Sequence, residues 1–118
     1  MVMVQHFDER GLCALDDIPD GGALAVDAVA AAGGRDLVLL REGGRVAVFE
    51  NACPHAGRRL DWAPGEFLLG GGIVTCAAHG AAFDARTGAC KGGACRGEGL
   101  RAVACRISEG RVWLDERD

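Results

Sequence analysis

Asp36-Leu37-Val38-Leu39-Leu40-Arg41, Glu42-Gly43-Gly44-Arg45 and Val46-Ala47-Val48-Phe49-Glu50 follow one another without a break. The outer runs are rich in Val, Leu and Phe, and the middle carries a Gly-Gly pair. The stretch therefore predicts a β-hairpin. Upstream, Leu12 to Leu15 predicts a first strand. Pro19-Asp20-Gly21-Gly22 predicts a turn, since Pro fixes φ and Gly accepts φ above zero. Ala23 to Ala32 has alanines that favour helix by propensity. Yet Leu24, Val26 and Ala28 alternate with Ala25, Asp27 and Val29, so the segment reads as a strand followed by an irregular loop through Gly33-Gly34. Downstream, Gly72 to Thr75 predicts a short strand. A second hairpin is expected from Val103 to Ile107, Ser108-Glu109-Gly110 and Arg111 to Leu114, with Val103, Cys105 and Ile107 on one face. Asp115 to Asp118 reads as a charged, solvated tail. Short apolar runs alternating with turn signals give an all-β class.

Composition narrows the function. The 118 residues suggest one domain, 1–118, and the 19 glycines favour tight turns over long helices. The net charge of −4, with no basic stripe, argues against nucleic-acid binding. No apolar run approaches membrane-spanning length. The start, Met1 to His6, lacks a basic region followed by a long apolar one, so no secretory signal is read and a cytoplasmic protein is expected. The six cysteines then read as metal ligands or reduced core residues.

Both strands that end before a cysteine lead into a cysteine–histidine pair. The first hairpin runs through Asn51 and Ala52 to Cys53-Pro54-His55. The strand ending at Thr75 runs into Cys76-Ala77-Ala78-His79. Ala56-Gly57 follows the first pair and Gly80 the second. In extended backbone, residues i and i+2 point the same way, so Cys53 and His55 can reach neighbouring metals from one loop. Two thiols and two imidazoles suit two irons bridged by sulfide, with sulfur ligands on one iron and nitrogen on the other. A mononuclear zinc site is the rival, since two Cys and two His also satisfy tetrahedral zinc. Typical zinc fingers, however, pair Cys with Cys and His with His, whereas here each loop mixes them. The plainest alternative is buried free cysteines with surface histidines.

The order C-x-H, spacer, C-x-x-H resembles the motif of the Rieske family, matched by Cys53, His55, Cys76 and His79. The resemblance extends to Gly57 and Leu60, to His79-Gly80, Phe83-Asp84 and Thr87-Gly88, and to Leu100, Val103 and Gly110-Arg111-Val112. Upstream it takes in Leu12-Cys13-Ala14-Leu15, Asp20-Gly21 and Glu50-Asn51-Ala52-Cys53. It implies a Rieske-like fold: an antiparallel β-sandwich base with a small inserted two-loop cluster-binding subdomain, roughly residues 51–97. It implies one 2Fe-2S cluster per chain, Cys53 and Cys76 on one iron, His55 and His79 on the other. The histidines are expected at the protein tip. The glycines would let backbone N–H groups approach the sulfides and stabilise the reduced state.

High-potential relatives carry an additional Cys in each loop and Ser and Tyr hydroxyls that bond sulfur. Here Arg58 and Ala78 stand where those Cys would be, Ala81 where the Ser would be, and Tyr is absent. The low end of the Rieske range, about −150 to +300 mV, is therefore expected, with no disulfide between the two ligand loops. The spacer between His55 and Cys76 is longer than in the usual soluble form, so Leu60 to Phe67 is read as an excursion. Many relatives have a Pro-containing third loop. None follows Pro64 here, and Gly92-Gly93-Ala94-Cys95 occupies that region.

The implied function is one-electron transfer by a Rieske-type ferredoxin, from a flavin reductase to a terminal oxygenase or similar acceptor. The alternatives are the small iron–sulfur subunit of a larger reductase of the nitrite reductase type, a zinc-binding structural module, and a redox sensor using Cys90 and Cys95. No nucleophile–base pair, phosphate loop or oxygen-activating iron site is evident, so an electron carrier rather than an enzyme is expected. Cys90 and Cys95 are read as reduced thiols in preference to a disulfide or a redox thiol pair, and Cys13 and Cys105 as small core residues. His6 is read as solvated. Trp113 is read as a packing residue, Trp62 as ordinary packing in preference to a cap on the cluster or a partner contact, and Arg58-Arg59 as either a docking contact or a solvated pair.

Overall fold

A computed structural model describes residues 11–54, 57–78, 80–93, 95 and 97–115. His6 and the tail beyond Asp115 lie outside the described residues. The hairpin from Asp36 to Glu50 is present as β3 (Arg35–Glu42) and β4 (Arg45–Glu50), with Glu42 opposite Arg45 across the Gly43-Gly44 turn. Gly43 has φ +62°, a conformation that a side chain would oppose.

This hairpin is the centre of an antiparallel sheet. Its neighbour on one side is β2 (Ala23–Val29) and on the other β9 (Ala102–Val103), in the order β2-β3-β4-β9. The sheet is covered on both faces. Leu37, Leu39, Val48 and Val103 face one core; Val38, Leu40 and Phe49 face another. This explains why residues 37–40 read as a continuous apolar run rather than an alternating one, since all four are buried.

The first core is closed by β1 (Gly11–Ala14), β10 (Cys105–Ser108) and β11 (Arg111–Leu114), in the order β1-β11-β10. Cys13, Ile18, Val112 and Leu114 are buried in it. These two sheets are the expected sandwich base. The second core is closed by a meander of β5 (Leu68–Gly70), β6 (Ile73–Thr75), β7 (Ala82–Asp84) and β8 (Cys90–Gly92). Val74 and Phe83 supply its apolar weight. The meander and both cysteine loops lie between β4 and β9, which pair directly through Val48 and Val103.

Several expectations need correction. The strand expected at Leu12–Leu15 ends at Ala14, and Leu15 begins a 3-10 turn to Asp17. The alternation read along residues 23–29 breaks at Ala28, which has φ +56°. The register slips there between Val26 and Val29, and the extra residue turns Val29 into the core. Val103 does not belong to the last hairpin. It pairs with β4, and the chain changes sheets at Ala104 before β10 starts. Val103 and Cys105 still pack on the same core, but Ile107 is exposed. The turn of that hairpin is Glu109-Gly110, both at positive φ, between paired Ser108 and Arg111.

Candidate metal centre

The two cysteine loops share one backbone frame. The Cys53 N–H donates to the Arg58 carbonyl (2.7 Å), and the Gly57 N–H donates back to the Cys53 carbonyl (2.7 Å). The Cys76 N–H donates to the Ala81 carbonyl (2.7 Å), and the Gly80 N–H donates back to the Cys76 carbonyl (2.8 Å). In each loop the closing glycine is the fourth residue after the cysteine, and both glycines are left-handed, φ +71° and +75°. The histidine falls at the second position after Cys53 and at the third after Cys76. The frames are nevertheless the same, because the glycine position is shared. His55, Ala56 and His79 lie outside the described residues, which cover the cysteine and the closing glycine on either side of each.

Leu60 joins the loops. Its N–H donates to Asn51 Oδ1 at 2.8 Å, just before Cys53, and its carbonyl accepts from the Ala77 N–H at 3.1 Å, just after Cys76. Asn51 and Leu60 are both buried, and Asn51 Nδ2 has no partner among the described residues. Leu60 thus belongs to the core, and only residues 61–67 form the excursion, pinched by a bridge between Ala63 and Glu66.

Cys53 and Cys76 are free, buried thiols in one core cluster with Leu60, Ala81, Phe83 and Cys95. They are not bonded to each other, although Cys90 and Cys95 in the same cluster region are joined as a disulfide. An opening of about 500 Å³ lined by Cys53, Pro54, Gly57 and Gly99 borders the first loop. Two soft sulfur donors at matching positions of two like-built loops, each followed in sequence by an imidazole, fit a thiolate-and-imidazole cluster.

Arg59 anchors the first loop to the central sheet. Its guanidinium forks onto Asp61, Nε to Oδ1 at 2.9 Å and Nη2 to Oδ2 at 2.8 Å. Nη1 reaches Asp27 at 3.2 Å and Asp36 at 3.1 Å. Asp36 also accepts from the Ala28 N–H, holding the kink in β2 (2.8 Å). Burial pushes the Asp61 carboxyl up, but hydrogen bonds from Arg59 and the Gly65 N–H outweigh it and leave it below the usual carboxylate range. The Asp61 hydrogen bond in turn holds the Arg59 guanidinium above its ordinary value. The adjacent Arg58 is exposed. Of the Arg58-Arg59 pair, then, Arg59 is a structural anchor and Arg58 alone is left exposed.

The remaining motif residues are structural. Phe83 is fully buried, and Asp84 Oδ1 accepts from the Arg86 and Thr87 N–H groups (2.8 and 3.1 Å) to make the next turn. A Cβ on Gly88 would lie 2.6 Å from the Phe49 ring, so that glycine lets the turn pack on the central sheet. Cys13 is buried, Cys105 is half-buried against the same core, and burial pushes both thiols up. Trp113 packs beside Gly11 and under the Arg106 guanidinium.

Two readings are overturned. Trp62 is not a packing residue: it is 62% exposed beside the Ala63–Glu66 bridge, where its backbone N–H donates to the Glu66 carbonyl at 3.0 Å. Cys90 and Cys95 are not separate reduced thiols. The end of β8 and the turn after it bring their Cα atoms within 6.0 Å, inside disulfide range, and the two are bonded. Sequence reading also missed Asn51 and the Arg59–Asp61 pair. Asn51 stood inside the matched segment before Cys53, but its partner Leu60 is a backbone group and carries no sequence signal.

The family model for the Rieske [2Fe-2S] domain matches residues 10–109. Among solved structures, the chain is similar to a ferredoxin of Sphingomonas yanoikuyae B1. Identity is 28% and the TM-score 0.74, over 91% of this chain and 97% of that one. It is similar to the ferredoxin of carbazole 1,9a-dioxygenase from Nocardioides aromaticivorans IC177, with 27% identity and a TM-score of 0.73, over 91% and 96%. It also resembles a chain in a complex of reduced oxygenase and oxidized ferredoxin of carbazole 1,9a-dioxygenase, at 28% identity and a TM-score of 0.73, over 88% and 89%. No curated protein matches the chain. Such a domain takes one 2Fe-2S cluster per chain, which sets the zinc alternative aside. The paired loops, the two-faced central sheet and the match from residue 10 to 109 lead to one assignment: this chain belongs to the Rieske [2Fe-2S] domain family.

Proposed function

We propose that this protein is a one-electron carrier of the Rieske ferredoxin type, taking electrons from a reductase and delivering them to a terminal oxygenase or similar acceptor. Cys53 and Cys76 hold one iron, and His55 and His79 the other. The observation that carries this reading is the pair of like-framed loops presenting two buried, free thiols. The likeness to two ferredoxins over nearly their whole length supports a carrier rather than an enzyme. When bound, the cluster supplies a single-electron couple, formally neutral when oxidised and singly negative when reduced.

The chain's own residues serve that couple in three ways. Burial of Cys53 and Cys76 keeps water from the thiolate side. The shared backbone frame and the Leu60 bridge hold the two loops at a constant separation, so little has to move when charge changes. Arg59 ties the first loop to β2 and β3 through Asp27 and Asp36. The donor is a flavin reductase in this reading, and the acidic balance favours weak, salt-sensitive docking to more basic partners. We place the carrier in the cytoplasm; among the described residues no helix is long and apolar enough to cross a membrane.

A redox titration of the purified protein, followed by visible absorption, tests this function. One electron per chain at the low end of about −150 to +300 mV is expected. A visible band that titrates with a two-electron slope, or no visible band, would exclude it.

A further inference from the structure

β8 and the turn after it carry a disulfide that electron carriage by the cluster does not use. Cys90 and Cys95 are joined as a disulfide. The two residues differ in burial: Cys95 is fully buried in the core cluster that holds Cys53 and Cys76, whereas Cys90, in β8, packs against that cluster and is only half-buried. Within the closed ring, Gly93 (φ +82°) presses on the second ligand loop. A Cβ there would lie 2.6 Å from the Gly80 carbonyl oxygen and 3.1 Å from the Ala81 Cα. Gly80 and Ala81 are the two residues that close the frame around Cys76. The disulfide ring is therefore a wall of the second ligand loop. Backbone pairing restrains it weakly, because β8 is three residues long and its register with β7 slips between Ala82 and Phe83.

We propose that the Cys90–Cys95 disulfide is a site of thiol–disulfide exchange with a dithiol reductant protein, and that its reduction loosens the wall over the second ligand loop. The inference rests on the cluster reading above. A thiolate of the reductant attacks the sulfur of Cys90, the less buried residue of the pair. The bond to Cys95 breaks, Cys95 leaves as a thiolate, and a mixed disulfide forms. The second thiol of the reductant then displaces Cys90. The reductant departs as a disulfide after giving two electrons, and its two protons end on Cys90 and Cys95. Opening the ring restores conformational freedom to residues 91–93, the segment whose Gly93 lies against Gly80. Oxidation by a disulfide of the same class closes the ring again.

The test uses the iron-loaded protein. Thiols are counted by alkylation and mass before and after dithiothreitol, and loss of visible absorption is timed in air with a chelator present. Cys90 and Cys95 are expected to resist alkylation until dithiothreitol is added. The reduced, alkylated protein should then bleach roughly ten-fold faster than the oxidised one. A Cys90→Ser, Cys95→Ser double variant should bleach at the reduced rate; if it does not fold, the two forms of the unaltered protein decide. Equal bleaching rates overturn the proposal. So do thiols at both positions that alkylate freely even after treatment with glutathione disulfide. A protein that binds neither iron nor labile sulfide overturns the cluster reading and this inference with it, whereas a red-brown protein with equal rates overturns this inference alone.

Discussion

The Ala77 N–H donates to the Leu60 carbonyl oxygen at 3.1 Å, joining the second cysteine loop to the chain that leaves the first. Leu60 is buried, and its own N–H is taken up by Asn51 Oδ1 at 2.8 Å. One residue with no side-chain chemistry therefore spans the two loops that present Cys53 and Cys76. Its importance lies in both ends of its backbone being used, in a place water does not reach.

Removing the Asn51 acceptor should show this directly. Asn51→Ala leaves the Leu60 N–H buried without a partner, which costs about 1–3 kcal/mol. Urea unfolding should give a lower midpoint with an unchanged slope. A midpoint equal to that of the unaltered protein would mean that the Asn51–Leu60 bond contributes nothing to the frame.

The glycines separate strain from overlap. Gly57 and Gly80 have positive φ but open space where a Cβ would go, so Gly57→Ala and Gly80→Ala should each cost about 1–2 kcal/mol of backbone strain. Gly88 has the same handedness, but its Cβ would overlap the Phe49 ring at 2.6 Å. Gly88→Ala should add an overpacking cost of about 1–3 kcal/mol to the strain. Thermal unfolding of the three variants gives the ranking. Equal losses at all three would contradict it.

The Arg59–Asp61 pair sets a pH dependence. The Asp61 carboxyl is held below its ordinary value in the folded protein, so its stabilising contribution is complete above the unfolded carboxylate pKa of about 4 and is lost as pH falls through the lower folded value. Asp61→Asn should therefore be less stable than the unaltered protein at pH 7, by about 1–3 kcal/mol for a hydrogen bond to a charged group. The gap should shrink below about pH 4. Denaturant unfolding across that window checks it. A constant gap would assign the effect to something other than ionisation.

The two large aromatic residues should behave oppositely. Trp62 is mostly exposed, so Trp62→Ala should change stability by no more than about 0.5 kcal/mol. Phe83 is fully buried in the core beneath the ligand loops, and Phe83→Ala should cost about 3–5 kcal/mol. Calorimetry of both variants is sufficient, and a severe loss from the Trp62 change would place that ring in a contact the fold does not contain.

What could be read from the amino acids was local. The hairpin over 36–50 was legible because a Gly-Gly pair sits between two β-rich runs, and a two-residue turn leaves no choice of register. The cysteine–histidine pairs were legible because their spacing is chemical. The shared loop frame was half-visible, as a glycine four residues after each cysteine. What escaped depends on partners far along the chain. Val103 pairs with β4 rather than continuing into β10, because the chain must cross from one sheet to the other at Ala104. Arg59 finds Asp27 and Asp36 across the fold, and no short-range pattern announces that. For Trp62 packing was preferred to a cap or a partner contact, but its excursion leaves it exposed. Cys90 and Cys95 were read from the expected compartment rather than from geometry, and the turn after β8 brings them together.

Electron paramagnetic resonance of the dithionite-reduced protein, grown with and without ¹⁵N-labelled histidine, bears most directly on the mixed-ligand centre. A signal from one reduced two-iron cluster with two nitrogen couplings that shift on labelling is the expected result, because His55 and His79 would share a single iron. A two-iron signal unaffected by the label, or no signal from an iron-free protein, would contradict it.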